Sequence, residues 1–530
     1  MTTLATAGLV PLRPDAGLRA LWGLAVRRDR IVVPVWTMVL AGVAGLAAAA
    51  TGALYPSAAD RLGAAAAIDA APALRAVYGP VAASAELGAL ALWKLGVLGA
   101  LATALFAGTT VVRHSRAEEE AGRLDLLAAA AVGRVAPAVA ALAAGVGAAL
   151  LVTLATTVVL IGVGLPVAGS LAFGATWGAA GIVFAGVALV AAQLVRSARA
   201  ARAALVAALL AAYLMRAAGD GGVGPAWLVW ASPLGWGERV EAFGANRWAV
   251  LLLSVATAWV LAAVGLELQV RRDVGAGVLP ERGGPARASA LLRGPLGLAW
   301  RLHRVGLAGW AVGLALLGAL CGSVTRDLGG LLDSERMRAV VESLGGATGI
   351  TDAFLAAEFG LLAGVVSLMV VGTVLRATAE ERAGRTDVPA GRWVGAHVVV
   401  ALGGGTAVLG LAGAAAGLAR GGAAEVPRLL GAALALSPAL VVAAGIAVLA
   451  HGLSASAAPA ALGVVAALLL TAELGPVLDA PAWVLDLTPF THLPRLPGGV
   501  VDPVAWCGVL GVGLVLLVAG LVALRRRDIG

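Results

Sequence analysis

Apolar runs of about 20 residues or more recur from one end of the chain to the other, each long enough to cross a hydrocarbon core as a helix. In the first half they cover roughly residues 31–54, 90–112, 135–160, 171–195, 203–214 and 249–270. In the second half they cover roughly residues 305–324, 354–375, 394–418, 429–453, 457–471 and 504–524. Six spans per half, twelve in all, define an all-α integral membrane protein. Composition agrees, with 60% of residues hydrophobic and 13% charged, a balance that water-soluble globular domains do not reach. The fifth run of each half has the least definite ends, because the interrupted apolar stretch after it also suits re-entrant segments.

Three short strings occur twice, in the same order. The first pair is Glu118 to Asp125 (EEEAGRLD) and Glu380 to Asp387 (EERAGRTD), both written E-E-x-A-G-R-x-D. The second is Pro225-Ala226-Trp227 with Pro233, against Pro481-Ala482-Trp483 with Pro489; the third is Arg271-Arg272-Asp273-Val274-Gly275 against Arg526-Arg527-Asp528-Ile529-Gly530. Their offsets of 262, 256 and 255 residues mark one unit repeated once. Six spans being an even number, both copies cross the membrane in the same direction, as a parallel repeat about an axis along the membrane normal. The first six-span half then covers residues 1–274, a Gly-, Pro- and Arg-rich linker covers 275–293, and the second half covers 294–530.

Arginine placement sets the expected orientation. With the amino terminus inside, the inner segments collect Arg27, Arg28, Arg30, Arg113, Arg116, Arg123, Arg196, Arg199, Arg271, Arg272, Arg382, Arg385 and Arg526 among others, and the outer segments far fewer. The positive-inside rule places both termini in the cytoplasm. Formal charge +8 follows from this topology, and the dispersal of the arginines over many loops argues against nucleic acid as a partner. The first apolar run is too long for a signal-peptide core and reads as an uncleaved span. Before it, Leu18, Leu21, Trp22 and Ala25 fall at helical spacing opposite Arg19, Arg27, Arg28 and Arg30, the pattern of an interfacial helix on the inner leaflet. Residues 291–304 take the corresponding place in the second half with poorer periodicity. The two cysteines, Cys321 and Cys507, read as buried thiols acting as small apolar residues.

The E-E-x-A-G-R-x-D strings fall in the inner loop between the second and third spans of each half. In a short helix there, Glu119 and Arg123 stand four apart with the acid first, as do Glu381 and Arg385, the favourable order for an intrahelical pair. Gly122 and Gly384 cost about 1 kcal/mol relative to Ala inside a helix and so imply a turn or a close backbone approach. Repetition of the same spacing in both copies points to a docking element.

An engine is missing from the chain. Its one lysine, Lys94, precludes any G-x-x-x-x-G-K-[ST] phosphate loop. A gradient-driven transporter needs ionisable groups at mid-membrane, and here the span centres are nearly bare, with Glu358 and Glu473 the best acids for that alternative. A membrane-embedded lipid-modifying enzyme needs clustered acids or histidines, which the spacing does not supply, and none of the five histidines has the spacing of a metal site.

With Arg116-Ala117-Glu118-Glu119-Glu120-Ala121-Gly122-Arg123, Ser232-Pro233-Leu234-Gly235-Trp236 and Arg271-Arg272-Asp273-Val274-Gly275-Ala276-Gly277, essentially the whole chain resembles the type-2 ABC exporter permeases of actinobacteria. In particular it resembles the fused, twelve-span group related to polyketide-antibiotic and multidrug exporters. The resemblance implies two copies of a separate ABC ATPase subunit, which would carry ATP and Mg; this chain itself would hold no cofactor or metal and would have no catalytic residues. It implies that the loops of Arg116, Glu118, Glu119, Gly122, Arg123 and Asp125, and of Glu380, Glu381, Gly384, Arg385 and Asp387, are coupling helices contacting those ATPases. Thr378 replaces the basic residue at the place of Arg116, so the two docking sites should be unequal. The resemblance also implies short re-entrant helices after the fifth spans, forming an outer gate with Trp227, Trp230, Pro233 and Trp236 in one half and Trp483, Pro489, Phe490 and His492 in the other. The expected activity is ATP-driven export of a hydrophobic or amphipathic compound, an antibiotic, drug or lipid-like molecule, through the cell membrane.

Overall fold

The computed structural model describes residues 17–69, 72–82, 84–123, 132–222, 224–273, 275–280, 292, 294–328, 346–384, 389–475 and 480–526. The described residues contain helices and turns and no strand. The chain separates into two compact units, Met1–Gly283 and Gly284–Gly530.

In unit 1 the helices are α1 Leu18–Asp29, α2 Val32–Leu54, α3 Ala58–Asp69, α4 Pro72–Tyr78, α5 Leu87–Ala91, α6 Trp93–His114, α7 Arg116–Glu120, α8 Ala136–Gly162, α9 Val167–Leu194, α10 Ala198–Asp220, α11 Pro233–Arg239 and α12 Leu251–Arg271. In unit 2 they are α13 Pro295–Leu328, α14 Gly346–Arg382, α15 Ala390–Gly421, α16 Val426–Leu434, α17 Ser437–Leu453, α18 Ala460–Leu474, α19 Ala482–Leu485 and α20 Pro503–Arg526. Eleven helical segments among the described residues are long and apolar enough to span a bilayer, so the chain is a multi-pass membrane protein. The expected fifth spans come out unequally. α10 extends well beyond 203–214, whereas α18 has only 15 residues and falls short of a full crossing.

Small residues set the packing of these spans. Where α17 crosses α20, an added Cβ on Gly445 would stand 2.8 Å from the Gly513 carbonyl oxygen, and one on Gly452 would stand 2.5 Å from that of Gly520. Two glycines per helix, seven residues apart, let the backbones touch, the usual solution where lipid offers no hydrophobic drive between helices. In unit 1 the hinge of the core is Trp177, 1% exposed, whose indole donates to the Leu95 carbonyl at 3.1 Å and ties α9 to α6.

Several expectations need correction. Residues 295–304 form no separate interfacial helix, because α13 runs without interruption from Pro295 to Leu328; nothing there breaks the chain as the turn at Arg30-Ile31 breaks α1 from α2. The fourth span of unit 2 is split into α16 and α17 just before Pro438, whose ring nitrogen has no hydrogen for the helical ladder. Both cysteines are free, but only Cys321 is buried; Cys507 is exposed near the start of α20.

Candidate functional site

The repeated acidic strings lie at the end of each unit where the basic flanks gather. In unit 1, α6 stops at Ser115, whose hydroxyl donates to the Val111 carbonyl at 2.6 Å, and the chain turns into the single-turn helix α7. Gly122 then takes φ +68°, and nothing lies within 4 Å of a would-be Cβ, so its glycine serves a left-handed turn rather than a close approach. Gly384 does the same in unit 2 at φ +63°.

The expected Glu119–Arg123 pair does not form. The turn at Gly122 takes Arg123 off the helical register, and its guanidinium instead meets Glu118, Nε to Oε2 at 2.6 Å and Nη2 to Oε1 at 2.9 Å. This hydrogen bond, 51% exposed on the arginine side, raises the Arg123 guanidinium above its ordinary value. Glu118 also accepts from Arg28 of α1.

Glu119 points inward, its side chain only 5% exposed, and joins two of the strings recognised as repeats. Arg272 grips it with two bonds, Nη1 to Oε1 at 2.6 Å and Nη2 to Oε2 at 2.7 Å, and the Gly275 amide donates to Oε1 at 2.6 Å. Arg116, fully buried, approaches Glu119 Oε2 at 3.1 Å while its Nε donates to the Ala192 carbonyl at 2.7 Å. Arg272 reaches on to the buried Gln193 side chain, and Glu120 accepts from the first amide of α10, Ala198, at 2.9 Å. The E-E-x-A-G-R segment is thereby fastened to the end of α9, the start of α10 and the chain leaving α12. Asp125 lies outside the described residues.

α1 is held against the same segment. Asp29, 6% exposed, takes Arg113 Nη2 at 2.8 Å and His114 Nε2 at 2.7 Å. Burial raises its carboxyl, but the hydrogen bond and charge of His114, then those of Arg113, outweigh that and leave it below the usual value.

Unit 2 reaches a similar end with different residues. α14 continues unbroken through Thr378, Glu380 and Glu381 to Arg382. Glu381 Oε2 lies 2.6 Å from His451 Nε2, and the other imidazole nitrogen lies 2.8 Å from the Thr378 hydroxyl. His451 is third from the end of α17, as Ala192 is third from the end of α9. The basic group absent at Thr378 is thus supplied from the neighbouring helix. Glu380 pairs loosely with Arg376 at 3.7 Å. Arg385 and Asp387 lie outside the described residues, so the expected Glu381–Arg385 pair does too.

At the opposite end of unit 1, the segment after α10 breaks into a 3-10 turn at Ala226–Val229 and then α11. Trp227 and Trp230 are 63% and 49% exposed, and the Trp236 indole donates to the Trp230 carbonyl at 2.7 Å. Pro233 opens α11 behind Ser232, whose hydroxyl donates to Ala212 and accepts from the Leu234 amide. Thr488 and Pro489 repeat this cap in unit 2, where Phe490 packs on the core, Trp483 is exposed, and His492 donates to the Asp486 carbonyl at 3.0 Å. A four-charge group that sequence reading missed fastens α11 of unit 1. Buried Arg216 meets Glu238 at 3.1 Å and donates to the Val77 carbonyl at 2.6 Å, while Arg239 meets Asp220 at 3.0 Å. Only the i, i+4 spacing of Arg216 and Asp220 in a span otherwise poor in charge could have flagged it. Arg272 was in plain view as part of a repeat, but its pairing with Glu119 is a contact across 153 residues.

Among known proteins, residues 292–525 match the family model described as the C-terminal domain of multidrug efflux system permease Rv1217c. The chain is similar to the multidrug efflux system permease protein Rv1217c of Mycobacterium tuberculosis (strain ATCC 25618 / H37Rv), 39% identical over 526 residues that cover 97% of this chain and 95% of that protein.

Proposed function

We propose that this chain, which belongs to the Rv1217c family of multidrug efflux permeases, is the membrane-spanning permease of an ATP-driven exporter and a transport subunit rather than an enzyme. Its cargo is a hydrophobic or amphipathic compound, and two ABC ATPase subunits, holding ATP and Mg, engage its two cytoplasmic E-E-x-A-G-R segments. Both termini lie in the cytoplasm. The observation that carries this reading is the build of the segment in unit 1. Arg116 and Glu119 are turned inward and, with Glu120, tie the segment to three other elements, while Ala121 and Arg123 remain exposed beside them. A segment presented outward yet fastened to α9, α10 and the end of α12 transmits a push to the spans. In unit 2 the exposed counterparts are Arg382, Ala383 and Gly384. The paired aromatic and proline turns at the other end serve as the outer gate.

The test is co-purification of the tagged chain from its native membrane in mild detergent, with mass spectrometry of what stays bound. An ABC ATPase at about two copies per chain, lost on combined Arg123→Glu and Arg382→Glu substitution, is the expected result. Recovery of the chain alone, still transporting with a proton gradient and no ATP, overturns it.

A further inference from the structure

Between α1, the start of α2 and the middle of α8 lies a cavity of about 500 Å3. Its walls are apolar: Trp22, Val26, Val33, Leu150, Leu151 and Leu154 contribute most of the large side chains. Trp22 closes one side by lying over Gly147, where an added Cβ would stand 3.2 Å from the ring. Two charged residues line it, Asp29 and Arg30. They are not equivalent. The Asp29 carboxylate is already engaged by Arg113 and His114. Arg30 is exposed and joined to no acid among the described residues. An apolar slot beside one uncompensated cation, at the end of the spans where the basic flanks lie, matches an amphiphile with a negative head.

We propose that this cavity binds one anionic phospholipid, its phosphate paired with Arg30 and an acyl chain laid against Leu150, Leu151 and Leu154. Arg28 and Asp29, the residues just before Arg30, hold Glu118, Arg113 and His114. An occupied cavity therefore braces α1 from the lipid side against the segment that the same helix contacts from the other. The site is independent of the exporter reading, since it asks nothing of a partner or a cargo.

The experiment is native mass spectrometry of the full chain, delipidated in detergent and titrated with POPG or POPC, which share acyl chains and differ in net charge. One arginine near a membrane surface is worth about 1 kcal/mol toward an anionic lipid, or about fivefold in affinity. Because the chain has 38 basic residues, the readout is the difference between variants. POPG should bind about fivefold tighter than POPC at this site, and Arg30→Gln should remove that preference. Arg19→Gln, on α1 but away from the cavity, should leave it. Leu151→Trp, or Leu154→Trp, should fill the slot and lower retention of both lipids. Equal retention of POPG and POPC by the unsubstituted chain, an undiminished preference in Arg30→Gln, an equal loss in Arg19→Gln, or undisturbed binding in both tryptophan variants overturns the proposal.

Discussion

Replacing Glu119 with Gln should destabilise unit 1 far more than replacing Arg123 with Gln, although both residues belong to one string and both form short ion pairs. Glu119 and Arg272 are each only 5% exposed, and Arg116, fully buried, leans on the same carboxylate. Neutralising the acid leaves two guanidinium groups facing each other without their anion. Removing one partner of such a pair costs about 3–5 kcal/mol. Arg123, by contrast, is 51% exposed and screened by water, which limits its pair with Glu118 to about 0.2–1 kcal/mol. The assay is thermal unfolding of the purified chain in detergent, followed by tryptophan fluorescence, for Glu119→Gln, Arg272→Gln, the double variant and Arg123→Gln. In the cycle, the double variant should cost less than the sum of the two singles, because the second substitution removes a charge that the first left uncompensated. Raising the salt concentration should diminish the Arg123 effect and leave the Glu119 effect nearly unchanged. If Glu119→Gln unfolds no earlier than Arg123→Gln, the inward tie carries no load and the account of the segment fails.

Three further outcomes follow from the same geometry. Gly122→Asn should be tolerated and Gly122→Val should cost about 1–2 kcal/mol by the same unfolding assay, since φ +68° is a left-handed position with open space around it; equal costs would mean that crowding matters there after all. Asp29 has a folded value below its ordinary 3.8, so its stabilisation is complete above that value and lost as pH falls through the depressed one; the melting difference between the unsubstituted chain and Asp29→Asn should shrink on acidification below about pH 4. His451→Ala should cost about 1–3 kcal/mol by stripping Glu381 and Thr378 of their shared partner, and adding Thr378→Arg should recover part of it by rebuilding the Arg116–Ala192 arrangement, whereas no recovery would show that the two ends are not interchangeable.

Apolar runs long enough to cross a bilayer were legible because hydrocarbon imposes length and forbids unpaired backbone groups, so eleven of the twelve expected runs appear as spanning helices close to where hydropathy placed them, the exception being α18. What hydropathy could not read was continuity. The joint between α13 and its basic flank, and the break before Pro438, depend on single residues inside otherwise similar apolar stretches. Spacing within the acidic strings was visible too, and it misled at one point. The i, i+4 rule assumes an unbroken helix between Glu119 and Arg123, and the left-handed Gly122 lies between them. A glycine is costly inside a helix, and its place in the string is the signal that the rule does not apply there. Glu119 to Arg272, Thr378 to His451 and Arg216 to Glu238 are contacts between distant helices, for which one sequence carries no spacing at all.

The two units keep the second acid of the string and change what neutralises it. In unit 1 the hydrogen bonds come from Arg272 and the Gly275 amide, with Arg116, two residues before the string, 3.1 Å away; the facing residue near the end of α9 is Ala192, which offers only its carbonyl. In unit 2 Thr378 stands two residues before the string, and the facing residue near the end of α17 is His451. In each unit the segment is tied to the end of the helix that faces it, through Arg116 and the Ala192 carbonyl in one and through His451 in the other. Sequence divergence between the halves has therefore altered the chemistry of the tie without removing it, as expected if the fastening itself is what both copies must retain.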